Sequence, residues 1–96
     1  MTTATARATI CNKKGLHARA AAKVVKLAGT FQAKIEIIRM AAEAEQARAG
    51  ATSILGLLML AADNKSSVVL NASGEDAEAA VAALVQLIER RFDEAE

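Results

Sequence analysis

Two apolar periodicities alternate along this chain, and their order constrains the fold more than any other feature of the sequence. Residues 18–28 (ARAAAKVVKLA) and 75–92 repeat apolar side chains at helical spacing, which predicts two amphipathic helices. Residues 5–12, 33–39 and 67–72 are short runs with β-branched residues and polar–apolar alternation, which predicts three strands. Because helices and strands interleave, we expect an α+β domain.

Both predicted helices present one apolar stripe to a core. The first is expected to end at Gly29, and its stripe comprises Ala18, Ala21, Ala22, Val25 and Ala28. Ser73 lies three residues before Asp76, a loose capping box for the last helix. The stripe of that helix comprises Ala77, Ala80, Val81, Leu84, Leu87, Ile88 and Phe92.

The middle of the chain is less clearly patterned. Residues 40–50 (MAAEAEQARAG) favour helix by composition and contain no Asn-Gly or Asp-Gly hairpin signal. Residues 52–62 begin with two capping candidates and continue as an apolar helix. If residues 40–50 are a strand, the order is βαββαβα, which predicts an open sandwich with a single antiparallel sheet and its helices on one face.

Length and composition exclude several classes of protein. The 96 residues fit one domain, residues 1–96, and 53% hydrophobic residues argue against disorder. No apolar run is long enough for a membrane span, and the first 14 residues lack the apolar stretch of a secretory signal. Cys11 is the only cysteine and is expected to be a buried strand residue. These features predict a reducing, cytoplasmic location without membrane insertion.

Charge is distributed unevenly along the chain. Residues 1–35 carry seven basic residues and no acid, whereas the remainder carries five basic and eleven acidic residues. Such an asymmetry is typical of an electropositive face for an acidic partner, unless the fold mixes the charges. A nucleic-acid-binding module is one alternative. However, the chain has two phenylalanines and no tryptophan or tyrosine to stack on bases, so we expect no nucleic-acid partner.

The only histidine, His17, comes immediately before the first predicted helix. The positive helix end disfavours imidazolium, and a neutral ring has a lone pair that can act as a nucleophile. A phosphoryl group on that ring would meet free N–H groups of the first turn and the guanidinium of Arg19. A capping or surface role is the simpler interpretation of an isolated histidine. A metal site and a Ser-His-Asp hydrolase are disfavoured, and no cofactor is expected.

Three segments resemble one family. Residues 12–28 (NKKGLHARAAAKVVKLA) are similar to the active-site segment of HPr, the histidine-containing phosphocarrier of the bacterial phosphoenolpyruvate-dependent phosphotransferase system. Residues 51–62 (ATSILGLLMLAA) resemble its regulatory-serine segment, and residues 68–88 resemble its last strand and helix. The resemblance implies a four-stranded antiparallel sheet with three helices on one face.

The resemblance also implies a relay. His17 would accept a phosphoryl group from phosphorylated Enzyme I and pass it to an Enzyme IIA-type protein, with Arg19 neutralising phosphoryl charge. Ser53 would be a regulatory site for an HPr kinase/phosphorylase. Leu55 and Leu58 would form a partly exposed docking patch near Lys26 and Thr52, whereas helical spacing places Ile54, Leu57 and Leu58 on one face.

Two departures from the family pattern qualify these expectations. Ala20 occupies the position where the family usually has proline. The HARA form resembles proteobacterial members of the family that act in regulatory phosphotransfer pathways and not in bulk sugar uptake. A nitrogen-related phosphocarrier (NPr) is therefore an alternative to a sugar-uptake carrier. Residues 39–50 are longer than the usual hairpin, which leaves the register of the third strand open.

Overall fold

The computed structural model describes residues 2–95. Within them the elements follow the order βαββαβα, as the resemblance implies. Their bounds are β1 Thr3–Thr9, α1 Ala18–Ala28, β2 Lys34–Ala41, β3 Ala44–Gly50, α2 Ile54–Met59, β4 Ser67–Ser73 and α3 Ala77–Glu89, followed by a single turn at Arg91–Asp93.

The four strands form one antiparallel sheet in the order β1-β4-β2-β3. The sheet directs Ile35 and Ile37 of β2 and Val68 and Leu70 of β4 into the core. Helix α3 packs against the sheet, α1 packs against α2 and α3, and α2 packs against β3. The predicted open-faced sandwich is thus confirmed.

Alanines make up much of the buried faces of α1 and α3. In α1 the buried residues are Ala20, Ala21, Val24 and Ala28, so the predicted stripe is rotated: Ala18 and Ala22 are exposed and Val25 is half-buried. The stripe of α3 is confirmed from Ala77 to Ile88. Gly29 is the C-cap of α1, as predicted.

Several predicted boundaries are wrong by two or more residues. Strand β1 ends at Thr9, so Cys11 lies outside it and is exposed, where its thiol donates to the carbonyl of Ile88 at 3.3 Å. Helix α2 has six residues instead of eleven, because the chain leaves the helical region with a positive φ at Ala61. Ile54 is exposed, although helical spacing places it on the same face as the buried Leu57.

The predicted capping box of α3 is also wrong. Asp76, not Ser73, is the N-cap of this helix. The Asp76 carboxylate accepts hydrogen bonds from the backbone N–H groups of Gln32 and Ala33, each at 2.8 Å. It therefore ties the start of α3 to the loop that enters β2.

Residues 40–50, which favour helix by composition, form the end of β2, a two-residue turn and β3. Ala42 and Glu43 form the turn with φ of 52° and 63°, conformations that side chains rarely adopt. The register shifts by one residue between Arg39 and Met40, which is a β-bulge. Pairing with the apolar strand β2 therefore outweighs local helix propensity.

The chain after α3 reverses through a left-handed turn. Arg91, Phe92 and Asp93 have φ of 60°, 54° and 62°, although none is glycine. The Phe92 ring is fully buried, and the Phe92 carbonyl accepts a hydrogen bond from Lys23 Nζ at 2.5 Å. Burial of the ring offsets the backbone strain, so Phe92 is a core residue as predicted, although α3 ends at Glu89 and does not reach Phe92.

The β2–β3 turn generates a stability prediction. Ala42→Asn should raise the free energy of unfolding by about 0.5–1 kcal/mol, because asparagine tolerates the positive φ that a two-residue hairpin requires. Urea denaturation measures the change. Ala44→Asn in β3 is the matched control and should give no gain. An equal gain at both positions would contradict the assigned turn.

Candidate functional site

The loop before α1 is held against the α2–β4 connection. Gly15 has a φ of 69°, and a Cβ there would lie 2.7 Å from the Ala62 carbonyl oxygen and 2.8 Å from Asp63 Cα. The backbone N–H of Leu16 donates to the same Ala62 carbonyl at 2.8 Å. Leu16 itself is buried. Glycine is therefore required at position 15, and the loop delivers the next residue to a fixed place.

His17 is the N-cap of α1. Its backbone is extended (φ −87°, ψ −176°), and its Nδ1 accepts a hydrogen bond from the backbone N–H of Arg19 at 3.3 Å. The side chain is 27% exposed, so the ring is reachable from solvent. A nitrogen that accepts a hydrogen bond carries a lone pair, so the neutral ring holds its proton on Nε2.

The Nε2 atom contacts a residue that the sequence did not single out. Glu94 Oε2 lies 2.5 Å from Nε2, and Glu94 Oε1 accepts a hydrogen bond from Asn12 Nδ2 at 2.8 Å. Asn12 is fully buried and also donates to the Gly15 carbonyl at 2.8 Å. One carboxylate thus joins the loop before α1, the histidine and the chain end.

The charged form of Glu94 is favoured in this setting. The hydrogen bond from Asn12, then the hydrogen bond and charge of His17 and the charge of Lys23, lower the pKa of the Glu94 carboxyl below its ordinary value of 4.5, against an opposing effect of desolvation. Glu94 is therefore a carboxylate at neutral pH.

An open cleft of about 430 Å³ is lined by Glu94, the residue that contacts His17 Nε2. The lining combines four basic residues with two acids and an alanine: Lys13, Lys14, Arg19, Lys23, Asp93, Glu94 and Ala95. Four of the seven basic residues in residues 1–35 therefore line one cleft. Such a concentration of cations stabilises a dianionic group.

Ser53 is exposed and is the N-cap of α2, where its Oγ accepts a hydrogen bond from the Gly56 N–H at 3.0 Å. Thr52, the other capping candidate, is exposed and has no capping role.

Helix α2 exposes an apolar patch, defined here as Ile54, Leu55, Leu58 and Met59. Leu55 is 68% exposed and Met59 73% exposed, whereas Leu57 and Leu60 are buried. The expected exposure of Leu55 and Leu58 is observed, and the patch is larger than expected. Lys26 is exposed on α1, the helix that packs against α2.

The described residues contain neither a metal centre nor a membrane span. Across residues 2–95, no three His, Cys, Asp or Glu side chains are grouped closely enough to hold a metal ion. Nor does any helix in this part of the chain have the length and apolarity to cross a membrane.

Comparison with known proteins gives consistent matches. The family model "PTS HPr component phosphorylation site" matches residues 4–90. The chain is 44% identical over 95 residues to phosphocarrier protein NPr of Shewanella violacea, covering 99% of both chains, and 44% identical over 88 residues to phosphocarrier protein HPr of Cupriavidus necator, covering 92% of this chain and 93% of that one. The structure is similar to HPr-C-His of Thermoanaerobacter tengcongensis, with TM-score 0.80, 38% identity and full coverage of both chains.

The position of Glu94 generates a prediction on pH. Because its pKa is lower in the folded chain, its carboxylate contacts add stability above about pH 4.5, and this contribution disappears as the pH falls through the lowered folded value. At neutral pH, the free energy of unfolding of the wild type should be larger than that of Glu94→Gln, by on the order of 1 kcal/mol. The difference should shrink on acidification in urea titrations. A difference independent of pH would contradict the assignment.

Proposed function

The chain belongs to the HPr family of phosphocarrier proteins of the phosphoenolpyruvate-dependent phosphotransferase system, and on that premise we propose that His17 is the residue that carries the phosphoryl group. The observation that supports the assignment is the position of the ring. Its Nδ1 lies at the N-terminus of α1, at 3.3 Å from the Arg19 amide nitrogen, and the side chain remains partly exposed.

Nδ1 is the nucleophilic atom in this proposal. With the ring proton on Nε2, the Nδ1 lone pair leaves its hydrogen bond with the Arg19 N–H and attacks the phosphorus of a donor phosphohistidine. The donor's P–N bond breaks with its electron pair remaining on the donor ring. The bound phosphoryl group would lie at the helix N-terminus, where unpaired N–H groups and the helix dipole favour an anion. The helix N-terminus would also stabilise the negative charge of the phosphoryl group during transfer, both when His17 accepts the group and when it donates the group.

Arg19 and the basic cleft would neutralise the phosphoryl charge. The guanidinium of Arg19 lines the cleft together with Lys13, Lys14 and Lys23. Arginine offers a planar fork of donors to phosphate oxygens, whereas the lysines act as point charges. A cationic rim around His17 would also attract partners with acidic surfaces.

We assign Enzyme I as the donor and an Enzyme IIA-type protein as the acceptor, with the cytoplasm as the compartment. The match to the Shewanella violacea NPr extends over 99% of both chains. This favours a nitrogen-related relay as a second candidate beside a general sugar-uptake relay, which the equally similar Cupriavidus necator HPr represents. Both candidates use the same atoms of His17.

The apolar patch of α2 would be the centre of the docking surface. Leu55 and Leu58 present apolar area, and Lys26, Arg19 and Thr52 supply a polar, basic rim. A small apolar centre with a charged rim is typical of transient complexes, which a relay requires for rapid release.

Ser53 lies directly before this patch. We propose it as the regulatory site of an HPr kinase/phosphorylase. A phosphate there would be tolerated by the start of α2 but would place negative charge beside the docking surface, so it would repel an acidic partner.

Incubation with Enzyme I and phosphoenolpyruvate tests the carrier assignment. Intact mass should gain one phosphoryl group that is lost in acid, because P–N bonds are acid-labile. His17→Ala should gain none, and Ser53→Ala should behave as wild type. An acid-stable group, or a group retained in His17→Ala, would contradict the assignment of His17.

The docking surface generates a separate prediction. Leu55→Asp should raise KM for phosphorylation by Enzyme I about tenfold with little change in kcat, because it places charge at the centre of an apolar contact. Ala82→Asp, which adds the same charge to an exposed position of α3, is the matched control. Equal KM values for the two variants would show that the patch does not contact Enzyme I.

A further inference from the structure

The carboxylate of Glu94 is held by contacts to both of its oxygens. Each of its oxygens has one partner: Asn12 Nδ2 at 2.8 Å and His17 Nε2 at 2.5 Å. Asn12 is fully buried, and its two donated bonds go to Glu94 and to the Gly15 carbonyl. In residues 2–95, its Oδ1 is the one buried side-chain polar atom without a hydrogen-bond partner.

The orientation of the Asn12 amide leaves its oxygen without a hydrogen-bond partner and directs its nitrogen at Glu94. A buried carbonyl oxygen without a hydrogen-bond partner destabilises the folded state. The amide keeps this orientation because both of its N–H groups face acceptors, one of which is the Glu94 carboxylate. The buried amide therefore aims Glu94 at the histidine, and the loop that places His17 also places its partner.

The chain end is shaped to deliver this carboxylate. Three successive residues with positive φ turn the chain back after α3, the buried Phe92 ring anchors the turn, and Lys23 holds the Phe92 carbonyl. Strain maintained in this way by buried contacts is typical of functional sites.

From this geometry we propose that Glu94 is a positioning residue for phosphoryl transfer at His17. Its carboxylate holds the ring proton on Nε2, which leaves the Nδ1 lone pair facing the helix N-terminus. When Nδ1 forms its bond to phosphorus the ring becomes cationic, and the carboxylate at Nε2 stabilises that charge. In the onward step the Nδ1–P bond breaks, its electron pair returns to Nδ1, and the ring is again neutral with its proton on Nε2.

No proton has to enter or leave the site in either direction under this arrangement. The same logic applies to histidines whose second nitrogen is oriented by a carboxylate in other enzymes and metal sites. The inference rests on the proposed function of His17, and it adds a residue outside the GLHAR segment to the transfer site.

The test compares Glu94→Gln with Glu89→Gln. Both variants remove one carboxylate, and Glu89 is exposed at the last position of α3. In ¹⁵N NMR of the unphosphorylated chain, wild type and Glu89→Gln should hold the His17 proton on Nε2, whereas Glu94→Gln should populate the Nδ1–H tautomer. Single-turnover transfer from phosphorylated Enzyme I should fall about tenfold in Glu94→Gln, with Glu94→Asp recovering part of the rate.

Two outcomes would overturn the proposal. If Glu94→Gln matches Glu89→Gln in both tautomer and rate, Glu94 only anchors the chain end. If Glu94→Gln transfers faster than wild type, the carboxylate obstructs the ring instead of positioning it. Circular dichroism of each variant excludes unfolding as the cause. Failure of the His17 assignment is distinguishable, because wild type would then take no phosphoryl group while the tautomer measurement still reports on Glu94.

Discussion

The hydrogen bond from the Arg19 amide to His17 Nδ1 is the interaction on which the functional part of this structure depends. It makes one side chain both the cap of α1 and the reactive group. A cap must accept a hydrogen bond, so the cap geometry selects the state in which Nδ1 carries a lone pair. Helix formation and nucleophilicity are therefore coupled: the fold that begins α1 at His17 also determines which nitrogen is available.

The rest of the molecule serves to hold that helix start in place. The loop before it has no freedom, because Gly15 contacts the Ala62 and Asp63 backbone and Leu16 is buried. The helix behind it packs through alanines, which permit close approach but add little bulk. The Phe92 turn closes the site from the opposite end of the chain. The start of α1 and the turn around Phe92, which are far apart in sequence, thus meet at one imidazole ring.

Much of this could be predicted from the sequence because it depends on local pattern. The bounds of α1 match the sequence prediction, since alanine content, the cap position and Gly29 all act within one helix. The apolar stripe of α3 follows from spacing alone. The exposure of Leu55 and Leu58 agrees with the resemblance, because a two-turn helix cannot bury every side.

Other features depend on partners that local pattern does not specify. Residues 44–50 form a strand against their composition because β2 offers an unpaired edge, and α2 is shorter than its apolar run because the chain must turn at Ala61. No pattern in the sequence indicates a role for Glu94, because isolated acidic residues are common in such positions. Phe92, two residues earlier, is the one feature of the sequence that indicates that this segment packs against the core.

The sequence by itself determined the order of elements, the histidine at a helix start and the cationic character of the region around it. These properties follow from residue type and spacing along the chain. Only the tertiary structure decided which nitrogen faces the helix and which faces a carboxylate, because the second partner comes from residue 94 and is delivered by a left-handed turn that non-glycine residues adopt only when burial of Phe92 compensates for it.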